Sequence, residues 1–108
     1  MTALKAIDKF PDQNPNPVLR VTQDGRLQYA NPASAPVRKA LGVEVGGELS
    51  PDVLERIRSC LAAEFDTLEV ESDGHLFELL VVSVYEFGFI NLYGTDVTAA
   101  RAVEHQVA

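Results

Sequence analysis

Alternating apolar and polar residues mark two regions of the chain as paired strands. Residues 18–30, VLRVTQDGRLQYA, form two alternating runs around Asp24-Gly25, a pair typical of tight hairpin turns. A second such pair, Asp73-Gly74, stands in the apolar stretch 67–84, and a third turn is expected at residues 86–88. We therefore predict a hairpin followed later by a three-stranded meander.

The strongest helical pattern lies in residues 50–65, SPDVLERIRSCLAAEF. Ser50 is a typical N-cap, and Pro51 suits the first helical position because its missing N–H loses no bond there. One apolar stripe follows at helical spacing, formed by Leu54, Ile57, Leu61 and Phe65. This pattern predicts an amphipathic helix that packs against the sheet.

A second helix is predicted from Asn31, an expected N-cap, to a stop at Gly42. Pro36 lies inside this span and deletes a backbone hydrogen bond, so the helix is expected to be kinked or to begin late. Residues 42–49, GVEVGGEL, are predicted to be a loop or a broken turn, without the spacing of a phosphate-binding loop.

A short leading helix is predicted in residues 3–10, where Leu4, Ile7 and Phe10 share one helical face. The prolines of PDQNPNP end it and form an extended connector. At the other end, the Ala-rich residues from Thr98 to Ala108 predict a helix with no following partner in this sequence.

The late strands are apolar on both sides. One alternating set is Phe77, Leu79 and Val81, and the other is Leu80, Val82 and Val84. A sheet of this kind is expected to be covered on both faces.

Composition limits the possible partners. The chain has 108 residues, 46% apolar content and a formal charge of −7, which fits one globular domain with no basic surface. We therefore predict no nucleic-acid partner and no direct membrane contact. The longest apolar run is too short to span a bilayer and no signal-peptide pattern is found, so a cytoplasmic location is expected.

The cysteine and histidines do not predict a metal site. Cys60, the single cysteine, lies beside the apolar stripe of the long helix and is expected to be a buried core residue rather than a reactive thiol. His75 follows a hairpin turn and His105 lies near the C-terminus, so both are expected to be solvated. The set has no zinc-binding spacing.

Two blocks of the sequence stand out together, NPNPVLRVTQDGRLQYANPA at residues 14–33 and INLYGTDVT at residues 90–98. They resemble a PAS domain, the sensory module of bacterial signalling proteins such as histidine kinases and nucleotide cyclases. The resemblance implies an α+β fold with a five-stranded antiparallel sheet, helices over one face, a short N-terminal helix and a C-terminal output helix. It divides the chain into a leading helix and connector (1–13), a sensor core (14–97) and the start of a signalling helix (98–108).

The resemblance also implies a function. The domain would be a non-catalytic sensor in a signal-transduction protein, which is expected to be a histidine kinase. It would relay a ligand or partner cue to an effector domain in the same protein. Signal transfer is expected at Asp96, Val97 and Thr98, which are similar to the family's Asp-hydrophobic-Thr motif. A homodimer is expected, in which the leading helix covers the outer sheet face of its own chain or of its partner.

No cofactor is predicted. Flavin-binding members of the family carry an Asn-Cys motif on the helix after the first hairpin, and residues 31–42 contain no cysteine. Haem-binding members supply a histidine from the long helix, and residues 50–65 contain none. An unidentified small organic ligand stays open.

Such a ligand would lie among apolar residues that are expected to point toward the helices. The predicted pocket residues are Leu27, Tyr29, Leu68, Phe77, Leu79, Phe89, Asn91 and Tyr93, with Leu19, Val21 and Val70 in the same inward set. Arg20 is expected to point outward. The simpler interpretation of the same residues is a packed core, in which case the phenol of Tyr29 still needs a hydrogen-bond partner.

Two other functions stay open. One is a protein-interaction or dimerisation module that binds no ligand. The other is a small cone-shaped α+β isomerase or dehydratase, which is disfavoured because such chemistry needs an inward general base. The acidic residues are instead expected at turns, on outer strand faces and on the polar side of the helix.

Overall fold

The computed structural model describes residues 13–63 and 67–101, with Tyr85 described by its backbone alone. The strands are β1 (Val18–Thr22), β2 (Leu27–Ala30), β3 (Thr67–Ser72), β4 (His75–Val84) and β5 (Phe89–Asp96). They form one sheet in the order β2-β1-β5-β4-β3, with every neighbouring pair antiparallel. The predicted five-stranded antiparallel sheet is therefore confirmed, and the last strand lies at its centre.

Both predicted Asp-Gly hairpin turns are present. In the second, Asp73 and Gly74 both have positive φ angles, 52° and 82°. Two such residues in succession match the right-handed twist of the flanking strands, which favours a tight turn between β3 and β4. The third turn is a 3-10 turn, Tyr85–Phe87, followed by Gly88.

Two α-helices lie between β2 and β3. They are α1 (Ala35–Leu41), preceded by a 3-10 turn at Pro32–Ser34, and α2 (Pro51–Ala62). Pro36 lies in the first turn of α1, so the expected late start is confirmed. Ser50 caps α2 as predicted, because its hydroxyl accepts a hydrogen bond from the Val53 amide at 3.3 Å.

Asn31 does not act as the predicted N-cap. Its side chain makes no capping bond to the following turn. Its Oδ1 instead accepts from the Val18 amide at 2.9 Å, and its Nδ2 donates to the carbonyl of Asn16 at 2.9 Å. Asn31 is completely buried and holds the chain that enters β1 against the end of β2.

The loop at residues 42–49 covers the edge strand β2. The Leu27 amide donates to the Gly47 carbonyl at 2.9 Å, and the Gly46 amide donates to the Leu27 carbonyl at 2.8 Å. Backbone groups of an edge strand would otherwise be open to pairing with another chain. The predicted loop thus has a structural role.

Both helices and the loop pack on one face of the sheet, which we call the inner face. The buried apolar residues form a single cluster there. Its strand members are Leu19, Val21, Leu27, Leu68, Val70, Phe77, Leu79, Ile90 and Leu92, and its other members are Val37, Leu41, Val43, Leu49, Ile57 and Cys60. The expected burial of Cys60 is confirmed.

The two ends of the chain are described only in part. The leading helix and its residues Leu4, Ile7 and Phe10 lie outside the described residues. At the other end, residues 98–101 form one helical turn, closed by a 2.9 Å hydrogen bond from the Arg101 amide to the Val97 carbonyl. We call this the exit turn.

Candidate functional site

Four of the predicted pocket residues lie on the inner face. Leu27, Leu68, Phe77 and Leu79 are buried there, and the side chains of Leu27 and Leu79 are completely inaccessible to solvent. They pack in the same cluster as residues of both helices. The centre of the inner face is therefore filled by side chains, and a ligand role for these four residues stays a prediction.

The predicted orientation of β5 is wrong. Phe89, Asn91 and Tyr93 lie on the outer face, because Asn91 is directly opposite Arg20, which is exposed, and Tyr93 is opposite Leu80. The inward residues of β5 are instead Ile90 and Leu92, which are 3% and 0% exposed. Asn91 is only 8% exposed on the outer face, where its amide is satisfied by hydrogen bonds with Arg20 and Tyr93.

Tyr29 was also predicted on the wrong face. Leu27 pairs with Val21 and Tyr29 pairs with Arg20, so the register shifts at Gln28. This β-bulge breaks the alternation, because residues on either side of the extra residue no longer share a face. Tyr29 therefore lies beside Arg20 on the outer face. The outward orientation expected for Arg20 is confirmed.

A polar cluster on the outer face joins Arg20, which was expected to point outward, to three residues of β5 that were expected in the pocket. The Arg20 guanidinium lies 4.9 Å from the centre of the Phe89 ring. Its Nε donates to Asn91 Oδ1 at 3.0 Å, and Asn91 Nδ2 donates to the Tyr93 hydroxyl at 3.0 Å. The cation, the aromatic ring and the amide thus hold one another in place.

An open cleft lies at one end of the sheet, between the β1–β2 turn, α2 and the β4–β5 hairpin. It has a volume of about 450 Å³ and is lined by Gln23, Asp24, Arg58, Leu61, Ser83 and Ile90. Arg58 bridges two of its walls, since its Nη2 donates to the Gln23 carbonyl at 3.3 Å. A hydrogen bond from the Thr22 hydroxyl holds the pKa of Asp24 below its usual range.

Sequence reasoning missed this cleft. In the sequence, Arg58 lies opposite the apolar stripe of α2 and Ser83 interrupts an apolar run, so neither residue indicates a site. Nothing local in the sequence brings them together, because their proximity depends on how α2 crosses the end of the sheet. The cleft has both apolar and hydrogen-bonding walls, as small-molecule sites do.

The predicted signal-transfer residues form the junction between β5 and the exit turn. The Val97 amide donates to the Leu76 carbonyl at 2.8 Å, and the Leu76 amide donates to Thr98 Oγ1 at 2.8 Å. The Thr98 amide in turn donates to Asp96 Oδ1 at 2.9 Å. The junction is therefore tied to the first residues of β4.

Two further contacts fix this junction. His75 Nδ1 lies 2.9 Å from Asp96 Oδ2, although both side chains are exposed. Arg101 of the exit turn pairs with Glu69 at 2.5 Å and Glu78 at 3.2 Å on the outer face. The turn is thus held to the sheet at two places.

The electrostatics of the junction favour an ionised Asp96. Hydrogen bonds from the Thr98 hydroxyl and amide, with a smaller contribution from His75, hold the pKa of Asp96 below its usual range. A carboxylate that accepts such bonds is stabilised in its charged form. The cap of the exit turn is therefore a charged group at neutral pH.

Residues 13–63 and 67–101 contain no group of three or more histidine, cysteine or acidic side chains placed to hold a metal ion. Nor does any helix in that part of the chain have the length and apolar character needed to cross a membrane.

The fold of this chain is similar to that of solved structures. The PAS domain of BvgS from Bordetella pertussis matches 97% of this chain and 92% of its own, with 16% identity and a TM-score of 0.52. The fold is PAS-like. An RNA-binding light-oxygen-voltage receptor also matches 97% of this chain, with 18% identity and a TM-score of 0.56.

This PAS-like chain spans only 36% of the light-oxygen-voltage receptor. The sensor region of a sensor histidine kinase matches 79% of this chain and 40% of its own chain at 23% identity. Its TM-score is 0.46, which is too low to support the fold. No protein-family model matches the sequence. No curated protein matches it either.

Proposed function

We propose that this chain is a non-catalytic sensory domain that passes a cue from its sheet to the segment after Thr98. The observation that carries the proposal is the junction, where Asp96 and Thr98 join the exit turn to the start of β4. Any change in the position of β4 relative to β5 would alter these bonds and the angle at which the turn leaves the sheet.

A sensor of this kind works by a population shift. A cue moves the equilibrium between two arrangements only by the difference in its affinity for them. The PAS-like fold and the receptor among its structural neighbours support this reading. The charge of −7 disfavours an RNA ligand of the kind that neighbour binds.

The proposal extends to the protein around the domain. We propose a cytoplasmic domain, with an effector such as a histidine kinase in the same protein, and a homodimer in which the leading helix covers an outer sheet face. The exposed apolar residues of that face support the last point, since Leu80 and Val82 are 44% and 36% exposed.

The test uses Asp96→Ala and Thr98→Ala in the full-length protein, with Thr95→Ala as the matched control on the exposed end of the same strand. We expect altered output, or altered regulation of output, in the first two variants and normal regulation in the control. The unfolding midpoint of the domain should be close to that of the wild type in all three. Unchanged regulation in both junction variants would refute the relay.

A second candidate is a protein-interaction module without a ligand. The completely buried residues at the centre of the inner face favour it, because within residues 13–63 and 67–101 these side chains pack closely and expose no surface to a small molecule. A thermal-shift screen of small metabolites discriminates the two, since a ligand of the native state raises the melting temperature. A hit that is lost in Arg58→Ala or Ser83→Ala would identify the cleft as a ligand site.

A further inference from the structure

The cleft at the end of the sheet is lined by two opposite charges that do not neutralise each other. Arg58 of α2 and Asp24 of the β1–β2 turn both belong to its walls. Within the described ranges neither side chain forms an ion pair, with the other or with a third residue. They are therefore too far apart to bind each other directly, and each can bind a charged group of a ligand.

Both charged groups are held by bonds that leave them free to bind more. The Arg58 Nη2 donates to the Gln23 carbonyl at 3.3 Å, which uses only one of the several N–H groups of the guanidinium. The Thr22 hydroxyl donates to Asp24 Oδ1 and holds the pKa of Asp24 below its usual range. A cation and an anion are thus both present in the cleft at neutral pH.

The rest of the cleft is largely apolar. Ile90 of β5 is 3% exposed, and the half-buried Leu61 of α2 packs against the core cluster. Ser83 of β4 lies directly opposite Ile90 and adds a hydroxyl group. The volume of about 450 Å³ falls within the range of about 300–1,000 Å³ that is usual for small-molecule sites.

We propose that this cleft binds a small zwitterion with an apolar substituent, namely an apolar α-amino acid. The Arg58 guanidinium donates hydrogen bonds to its carboxylate, and the Asp24 carboxylate accepts them from its ammonium group. Leu61 and Ile90 contact its side chain. A simple anion would be repelled by Asp24 and a simple cation by Arg58, so a ligand with both charges fits best.

The proposal names the cue of the sensory domain, and for that role it rests on the proposed function. Ser83 and Ile90 belong to β4 and β5, the two strands whose relative position affects the junction at Asp96. A ligand that contacts both strands and α2 would favour one arrangement of them. Binding is measured without any output, so the site and the relay can fail separately.

The first test is an NMR titration of the purified chain with L-leucine and two analogues. Leucine should bind saturably and shift the amide signals of Gln23, Ser83 and Ile90. Leucinamide lacks the carboxylate and isocaproate lacks the ammonium group. Each should bind at least about fivefold more weakly than leucine, as expected for loss of one exposed charge pair.

Variants then assign each charge to its partner. Arg58→Gln should weaken leucine binding at least about fivefold without weakening that of leucinamide. Asp24→Asn should weaken leucine binding to a similar extent without weakening that of isocaproate. Asn-Gly also suits a tight hairpin turn, so the second variant keeps the fold.

Matched controls remove the same charges away from the cleft. Arg56→Gln changes the same helix at a side chain that donates to the Glu69 carbonyl, and Asp73→Asn changes the other Asp-Gly turn. Both should bind leucine as the wild type does. Weakening by the controls equal to that of the cleft variants would overturn the assignment of the charges.

Two further results would overturn the site itself. One is the absence of saturable binding for all of leucine, isoleucine, valine, methionine and phenylalanine. The other is equal affinity for leucine and isocaproate, which would show that the ammonium group is not recognised. If leucine binds as expected but the output of the full-length protein does not respond to it, the site stands and the relay is refuted.

Discussion

The two faces of the sheet have similar apolar residues and opposite surroundings. Leu79 and Leu80 are neighbours on β4, yet Leu79 on the inner face is completely buried and Leu80 on the outer face is 44% exposed. The difference comes from what is packed above them: helices α1 and α2 cover the inner face within the described residues. Apolar composition alone therefore does not decide which face of a strand becomes the core.

The largest expected effect tests this difference directly. Leu79→Ala should lower the free energy of unfolding by about 2–5 kcal/mol, because it leaves a cavity in a closed core. Leu80→Ala is the matched control and should lower it by a smaller amount, since Leu80 is 44% exposed and a helix on the outer face would enclose it less completely than the core encloses Leu79. Denaturant unfolding measures both. Equal losses would mean that the outer face is as tightly covered as the inner face.

A smaller effect is expected where β5 passes under the entering chain. A Cβ at Gly94 would lie 2.9 Å from Pro17 Cβ and 3.0 Å from Leu79 Cδ2. Gly94→Ala should therefore destabilise the domain by about 1–3 kcal/mol through overpacking.

Thr95 follows Gly94 in β5 and points to the exposed outer face. It provides the control for the Gly94→Ala prediction. Thr95→Ala should change the free energy of unfolding by no more than about 0.5 kcal/mol. If Gly94→Ala were equally mild, the contact between β5 and the entering chain would have to be looser than the structure shows.

Much of the fold could be predicted from the sequence, because local rules and tertiary packing agree there. The Asp-Gly turns, the Ser50 cap and the alternation in β4 each reflect preferences that a few neighbouring residues determine. The junction at residues 96–98 was located for another reason, its resemblance to a family motif.

The faces of β2 and β5 could not be predicted in the same way. In β5, FINLY offers two apolar sets, and the choice between them depends on pairing with β1, which is about seventy residues away in sequence. In β2, the bulge at Gln28 has no clear local signal. Asn91 gives no clue to the face of β5 either, because it is only 8% exposed and its amide is satisfied by Arg20 and Tyr93.

The Arg20–Phe89 contact allows a finer test of the outer face. In a double-mutant cycle of Arg20→Met and Phe89→Leu, we expect a coupling energy of about 0.5–1 kcal/mol, as for exposed cation–π pairs. The outer face would then contain one specific contact among its exposed apolar residues. A coupling energy near zero would instead show that these side chains rest beside each other without mutual stabilisation.

The smallest effect is expected at the junction, where the two faces meet the exit turn. The pKa of Asp96 is lower in the folded than in the unfolded chain. Its ionised side chain therefore stabilises the fold fully at pH values above the ordinary aspartate pKa, about 3.9. This stabilisation is lost as the pH falls through the lower pKa of the folded state. Over that acidic range the Thr98 amide should lose its bond to Asp96 and exchange faster.

The exchange rates of amides in the inner-face strands should not change over the same pH range unless the whole domain unfolds. An NMR titration that follows the Thr98 amide and the inner-face amides therefore distinguishes local opening of the junction from global unfolding. In Asp96→Asn the Thr98 amide should no longer titrate with this group, while the inner-face amides should keep their protection. If the inner-face amides lost protection together with Thr98, the junction would be part of the cooperative core. It would then open only when the whole domain unfolds, which leaves no local change at the junction for a relay to use.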